Sequence, residues 1–87
     1  MSISNIPDPI LRGLMRYQDD GVMPGGFLQA VLRNDLQEAV FHADEESRAA
    51  LLPICQYVHW EIPAVAHGSR EAVDAWVAKF QAQRRAA

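Results

Sequence analysis

The stretch FLQAVLRNDLQEAVFHA, residues 27–43, decides the fold class. Its apolar residues recur every three or four positions, which is the spacing that places side chains on one face of an α-helix. They are Leu28, Val31, Leu32, Leu36, Ala39, Val40 and Ala43. The pattern predicts a single helix from about residue 27 to about residue 43, preceded by the breaker Pro24-Gly25-Gly26.

The same helical spacing recurs on both sides of this stretch. A first helix is predicted over about residues 7–20, and Gly21 is expected to end it. A last helix is expected to begin after Ser69, a good N-cap residue. Its apolar positions are Val73, Trp76, Val77 and Phe80.

A third helix is predicted between Asp44, as its N-cap, and Pro63. Pro53 lies inside this segment, but the apolar phase continues across it. We therefore expect a kink at Pro53 rather than a break. The chain lacks the two-residue alternation of strands, so the sequence predicts an all-α fold, a compact bundle of about four helices.

Length and composition indicate one domain. The chain has 87 residues, of which 49% are hydrophobic. We expect residues 1–87 to form a single helical domain with frayed ends at about 1–5 and 84–87. Eight basic residues against eleven acidic ones give a net charge of −3, which excludes a broadly basic protein that coats nucleic acid.

The sequence also contains signals that relate to the cellular location of the protein. Cys55 is the one cysteine, so an intramolecular disulfide is impossible. The first residues lack the pattern of a signal peptide, and no apolar run approaches the roughly 18 residues of a membrane span. We expect a cytoplasmic protein that does not contact the membrane.

Two groups of residues have the chemistry of metal ligands. Cys55 and His59 are four residues apart, but Cys55 lies in an apolar stripe, where packing in the core is the simpler interpretation. Asp35, Glu38 and His42 line one edge of the second predicted helix, which is typical of a solvated polar edge. We assign no catalytic or metal-binding residue and expect no cofactor. A metal-dependent enzyme or sensor remains an alternative that rests on these groups.

Aromatic residues suggest a different kind of site. Phe41 and Trp60 point away from the apolar stripes of their helices, and Tyr57 points to one side. They are either covered by neighbouring segments or exposed as a protein-binding patch. We take all three as contact candidates for a partner protein, although Phe41 and Trp60 also suit the seam of a homodimer. The acidic contact candidates are Asp35, Glu38, Glu45 and Glu46.

A basic cluster near the C-terminus supports another alternative, a small regulator that binds nucleic acid. It consists of Arg70, Lys79, Arg84 and Arg85. Glu71 and Asp74 lie among these residues, and the whole chain is acidic, so a solvated face is the simpler interpretation.

Several motifs resemble a family of small proteins encoded by tailed bacteriophages and prophages. They are PGGFLQAVLRNDLQEA at residues 24–39, ICQYV at 54–58, GS at 68–69 and VDAW at 73–76. The similarity extends over about residues 6–76. It implies a viral or prophage origin and action in the cytoplasm of a bacterial host cell, and it supplies no catalytic residues. Pro53 and His67 depart from the family pattern.

The features together predict a non-enzymatic, phage-derived module that binds a host or phage protein. An inhibitor of a bacterial defence complex, of the anti-CRISPR kind, is one concrete form. The acidic residues suit a basic protein that handles nucleic acid, such as a nucleoprotein defence complex, by charge complementarity. In this interpretation the chain does not contact nucleic acid directly.

Overall fold

A computed structural model describes residues 5–86 as an all-α fold. This part of the chain contains six α-helices and no strand, so the predicted fold class is confirmed but the predicted number of four helices is too low. The helices are α1 (Asp8–Asp20), α2 (Gly26–Leu32), α3 (Leu36–His42), α4 (Glu45–Ala49), α5 (Leu51–Glu61) and α6 (Arg70–Ala86). A short 3₁₀ helix, Ala64–Ala66, connects α5 to α6.

The second predicted helix is divided into α2 and α3, so the prediction of one continuous helix was wrong. Asn34 adopts φ 63°, in the left-handed region that asparagine tolerates better than most residues. Asp35 then caps α3, since its Oδ1 atom accepts a hydrogen bond of 3.3 Å from the Glu38 backbone N–H. Such side-chain bonds to the backbone compete with helix continuation and change the direction of the chain.

The third predicted helix is also divided, at Ala50, into α4 and α5. The predicted N-cap is confirmed, because Asp44 accepts a hydrogen bond of 2.7 Å from the Ser47 N–H, which lowers the pKa of Asp44. The predicted kink at Pro53 was wrong. Pro53 is the third residue of α5, a position where a backbone N–H has no partner within the helix.

The core is built around Tyr17 of α1. The Tyr17 side chain is fully buried, and its hydroxyl donates a hydrogen bond of 2.6 Å to the Ala66 carbonyl. The indole N–H of Trp76 donates in turn to the Tyr17 carbonyl at 2.8 Å. These two bonds join α1 to the connection after α5 and to α6. The other large side chains that are fully buried are Leu14, Leu32, Ile54 and Val73.

The end of α1 is held against α6. Gly21 terminates α1 in the left-handed conformation, as predicted, and Phe80 packs against it. Arg84 donates a hydrogen bond to the Asp20 carbonyl. Helix α6 continues through Ala86, within the range that was predicted to fray, whereas residues 1–4 and 87 lie outside the described part of the chain.

Candidate protein-binding surface

Five of the eleven acidic residues of the chain lie in one segment. Residues 35–46 contain five acidic residues and no lysine or arginine. Their charge of −5, set against −3 for the whole chain, leaves +2 for the rest. The five side chains are all exposed on α3, on α4 and at the caps of these helices. We call this set the acidic surface: Asp35, Glu38, Asp44, Glu45 and Glu46.

Phe41 lies on α3, in the same segment of the chain as these five acidic residues. It is 81% exposed, the largest fraction among the exposed large apolar side chains of residues 5–86. Leu36 and Val40 of the same helix are also exposed, although their spacing had predicted that they face the core. The break at Asn34 and Asp35 explains the difference, because α3 does not continue the direction of α2. Of the seven residues of α3, only Ala39 is buried.

Tyr57 does not belong to an exposed surface, so its prediction as a contact residue was wrong. Its side chain is 6% exposed. The Tyr57 hydroxyl donates a hydrogen bond of 2.9 Å to Gln18, whose side-chain amide donates to the Glu61 carbonyl. Burial, followed by the charges of Glu61 and Asp19, raises the pKa of Tyr57. Tyr57 therefore joins α5 to α1.

Trp60 is exposed, but it lies on α5 and not on the acidic surface. Its side chain is 71% exposed, and its ring meets the His59 ring edge-on at 4.6 Å between centroids. Cys55 is exposed on the same helix, so the interpretation that it packs in the core was wrong. Partial desolvation by neighbouring atoms nevertheless raises the pKa of the Cys55 thiol.

Asp35, Glu38 and His42, which suggested a metal site, form a helix cap and a side-chain pair. Asp35 caps α3, and Glu38 lies 3.1 Å from the His42 imidazole in an exposed pair, as expected for a solvated polar edge. Cys55 and His59 line an open cavity of about 300 Å³ together with His67. Within residues 5–86, no three His, Cys, Asp or Glu side chains are placed to hold a metal ion together.

The basic residues on α6 are exposed, but two of them already form contacts within the chain. The Lys79 ammonium lies 4.9 Å from the centroid of the Trp76 ring. Arg84 bonds the Asp20 carbonyl. Arg70 and Arg85 lie near opposite ends of α6, about 22 Å apart along the helix axis. Arg70 thus lies apart from the other three basic residues, which are all in the C-terminal half of α6.

The sequence did not reveal a groove of about 560 Å³ between α1 and the start of α2. Ile10, Met23 and Phe27 supply apolar lining, while Arg16 and His42 supply polar lining. These residues come from three helices and the connection between α1 and α2, and their positions in the sequence give no periodic signal. A groove of this size is large enough to hold an apolar side chain or a small ligand.

None of the described helices is long and apolar enough to cross a membrane. Comparison with protein-family models, with curated proteins and with solved structures gave no match. The resemblance to phage proteins therefore stays a prediction from the sequence, and the acidic surface is the feature from which a function can be argued.

Proposed function

We propose that the chain is a non-enzymatic protein-binding module that docks through the acidic surface, with Phe41 as its anchor. The observation that carries the proposal is that the most exposed large apolar side chain of residues 5–86 and five exposed acidic residues lie in one segment, residues 35–46. Aromatic anchors surrounded by polar groups are typical of protein interfaces, where a few residues supply most of the binding energy.

The energetics favour a partner that buries the ring. Removing a Phe side chain from water is worth about 1.5–3 kcal/mol, and in the free chain Phe41 gains little of this because it is 81% exposed. Leu36 and Val40 add apolar area on the same short helix. A complementary apolar pocket on a partner would bury the Phe41 ring.

The charge indicates the kind of partner. The five exposed carboxylates in the segment that carries Phe41 favour a basic surface and repel an acidic one, which increases both specificity and the rate of association. Proteins that handle nucleic acid carry such basic surfaces. The partner that fits best is therefore a basic protein with an apolar pocket inside its basic surface.

The sequence resemblance to phage proteins suggests in which cell the partner is found. We propose a host or phage protein in the bacterial cytoplasm as the partner. In its most specific form, the chain inhibits a nucleoprotein defence complex by occupying a basic surface, in the manner of anti-CRISPR proteins. Charge complementarity supports this form, and so does the motif resemblance over about residues 6–76.

Replacing Phe41 with alanine should weaken capture of the partner at least tenfold, because the change removes the proposed anchor and leaves the fold intact. The measurement is affinity capture with the tagged chain from a bacterial lysate that has been treated with nuclease. Glu45→Lys combined with Glu46→Lys should also weaken capture, and most strongly at low salt, since exposed charges are screened by ions.

Met15→Ala is the matched control, because Met15 is an exposed apolar residue on α1, outside the acidic surface. This variant should capture the partner as the unmodified chain does, and thermal unfolding should show that every variant is folded. Equal capture by Phe41→Ala and the unmodified chain would contradict the proposal. A partner that disappears with nuclease would instead favour the nucleic-acid alternative and the basic residues of α6.

A further inference from the structure

A small polar cavity of about 260 Å³ is lined by residues of α2, α3 and α6. Its positive groups are Arg33, the C-cap of α2, and Arg70, the first residue of α6. Its negative groups are Asp35, the N-cap of α3, and Glu38 in the first turn of that helix. Two guanidinium groups and two carboxylates thus line one cavity from three helices.

The Arg33 side chain has a donor that the chain does not use. This side chain is 20% exposed, and its buried Nε atom has no hydrogen-bond partner within residues 5–86. Its Nη2 atom lies 3.5 Å from the Asp74 carboxylate, which is longer than the roughly 2.7–2.9 Å of a charge-assisted hydrogen bond. Because buried polar groups nearly always have a partner, the Arg33 guanidinium has capacity left for an acceptor from outside the chain.

The two carboxylates also have oxygens to offer. Asp35 uses Oδ1 to accept the hydrogen bond from the Glu38 backbone N–H, and Glu38 uses Oε2 in its pair with His42. A carboxylate has two oxygens, so Oδ2 of Asp35 and Oε1 of Glu38 can each accept a hydrogen bond from a ligand. The cavity therefore offers donors on its arginine side and acceptors on its α3 side.

We propose that this cavity binds a small zwitterion of the α-amino acid class. The ligand carboxylate pairs with Arg33 and Arg70, and the ligand ammonium pairs with Asp35 and Glu38. Charge complementarity selects this class, because a simple anion would face two carboxylates and a simple cation would face two guanidinium groups.

The size and polarity of the cavity agree with such a ligand. Pockets for drug-sized molecules measure about 300–1,000 Å³, so a cavity of about 260 Å³ suits a smaller molecule. The lining also includes the amide side chain of Gln29, which is fixed by a hydrogen bond of 2.7 Å from its Nε2 to the Pro24 carbonyl. We therefore expect an amino acid whose own side chain is polar.

NMR titration of the isotope-labelled chain with L-serine, L-asparagine and L-glutamine tests the proposal. The range should extend to about 20 mM, because ligands with so few atoms bind weakly. At least one of the three should shift the amide signals of α2, of the first turn of α3 and of the start of α6. The N-acetyl derivative of that amino acid lacks the ammonium, and its amide lacks the carboxylate, so each should bind about tenfold more weakly.

Two results of this titration would overturn the proposal. One is the absence of shifts with all three amino acids. The other is equal binding of the N-acetyl derivative, which would reveal a site for anions and not for zwitterions.

Arg70→Gln removes one cation from the cavity and should weaken amino-acid binding about tenfold. Arg70 is exposed, so the fold should stay intact, and thermal unfolding checks this. Arg85→Gln is the matched control, because Arg85 is exposed in the last turn of the same helix and should have no effect. Equal weakening by both variants would contradict the assigned site.

Phe41→Ala separates this proposal from the proposed partner surface. Phe41 does not line the cavity, so this variant should bind the amino acid as the unmodified chain does while it loses the partner. Conversely, Arg70→Gln should lose the amino acid and keep the partner, since Arg70 lies outside the acidic surface. Loss of amino-acid binding in Phe41→Ala but not in Arg70→Gln would overturn the placement of the ligand in this cavity.

Discussion

Replacing Gly21 with alanine is expected to lower the free energy of unfolding by about 2–4 kcal/mol. Gly21 has φ 65°, and a left-handed conformation costs an L-residue about 1–2 kcal/mol. A Cβ atom at this position would also lie 2.6 Å from Cβ and 2.5 Å from Cγ of Phe80. Overpacking of this kind typically costs about 1–3 kcal/mol. Phe80 has little freedom to move away, because its ring packs against Trp76 at 5.2 Å between centroids.

Alanine substitutions at two other glycines distinguish the cost of the backbone conformation from the cost of overpacking against Phe80. Gly68 has φ 104°, which residues with a Cβ rarely adopt, but it has open space where a Cβ would be, so Gly68→Ala should show a conformational cost alone, about 1–3 kcal/mol. Gly25 has φ −66° and equally open space, and Gly25→Ala should cost less than about 1 kcal/mol as a change of N-cap residue. Denaturant unfolding measures all three. Equal losses for the Gly21 and Gly25 variants would show that Phe80 does not pack as described.

Tyr17→Phe is expected to lower the free energy of unfolding by about 1–3 kcal/mol at neutral pH, because it leaves the Ala66 carbonyl buried without its donor. The loss should depend on pH. Burial, followed by the charge of Asp74, raises the pKa of Tyr17 to about 12, while Arg33 acts in the opposite direction.

The neutral form of Tyr17 is thus favoured by folding. Its contribution is fully present below the unfolded pKa of about 10 and is lost as the pH rises from 10 towards 12, by roughly 3 kcal/mol. Denaturant unfolding of the unmodified chain and of Tyr17→Phe, between about pH 8 and about pH 12, measures how the free energy of unfolding falls with pH. Tyr17→Phe should remove most of this pH-dependent decrease. Tyr57, whose pKa is also raised, accounts for the part that remains. If Tyr17→Phe keeps the full pH dependence of the unfolding free energy, the assignment of that dependence to Tyr17 is wrong.

The fold class could be predicted from spacing because helical periodicity is local. The ends of helices were predictable where a single residue acts as a cap: Gly21 ends α1, Asp44 caps α4, and Ser69 accepts the Ala72 N–H at 3.1 Å at the start of α6. The break at Asn34 was not predictable from the pattern, because apolar residues continue in phase on both sides of it. Tertiary contacts and side-chain capping decided that position.

Because helical periodicity is local, it also predicted only part of the candidate site. Helical angles correctly predicted that Phe41 and Trp60 lie away from the core. They did not predict the burial of Tyr57, which depends on Gln18 from a helix 39 residues earlier in the chain. The exposure of Leu36 depends on the direction of α3 after the break, which periodicity does not contain.

Amide hydrogen exchange of the chain, alone and in complex with its captured partner, tests the proposed surface most directly. We predict that binding slows exchange in α3 and in the first turn of α4, with little change in α1 and α6, because the partner would cover Phe41 and the acidic residues of the same segment. Protection of α6 or of α1 with no change at α3 would contradict the account.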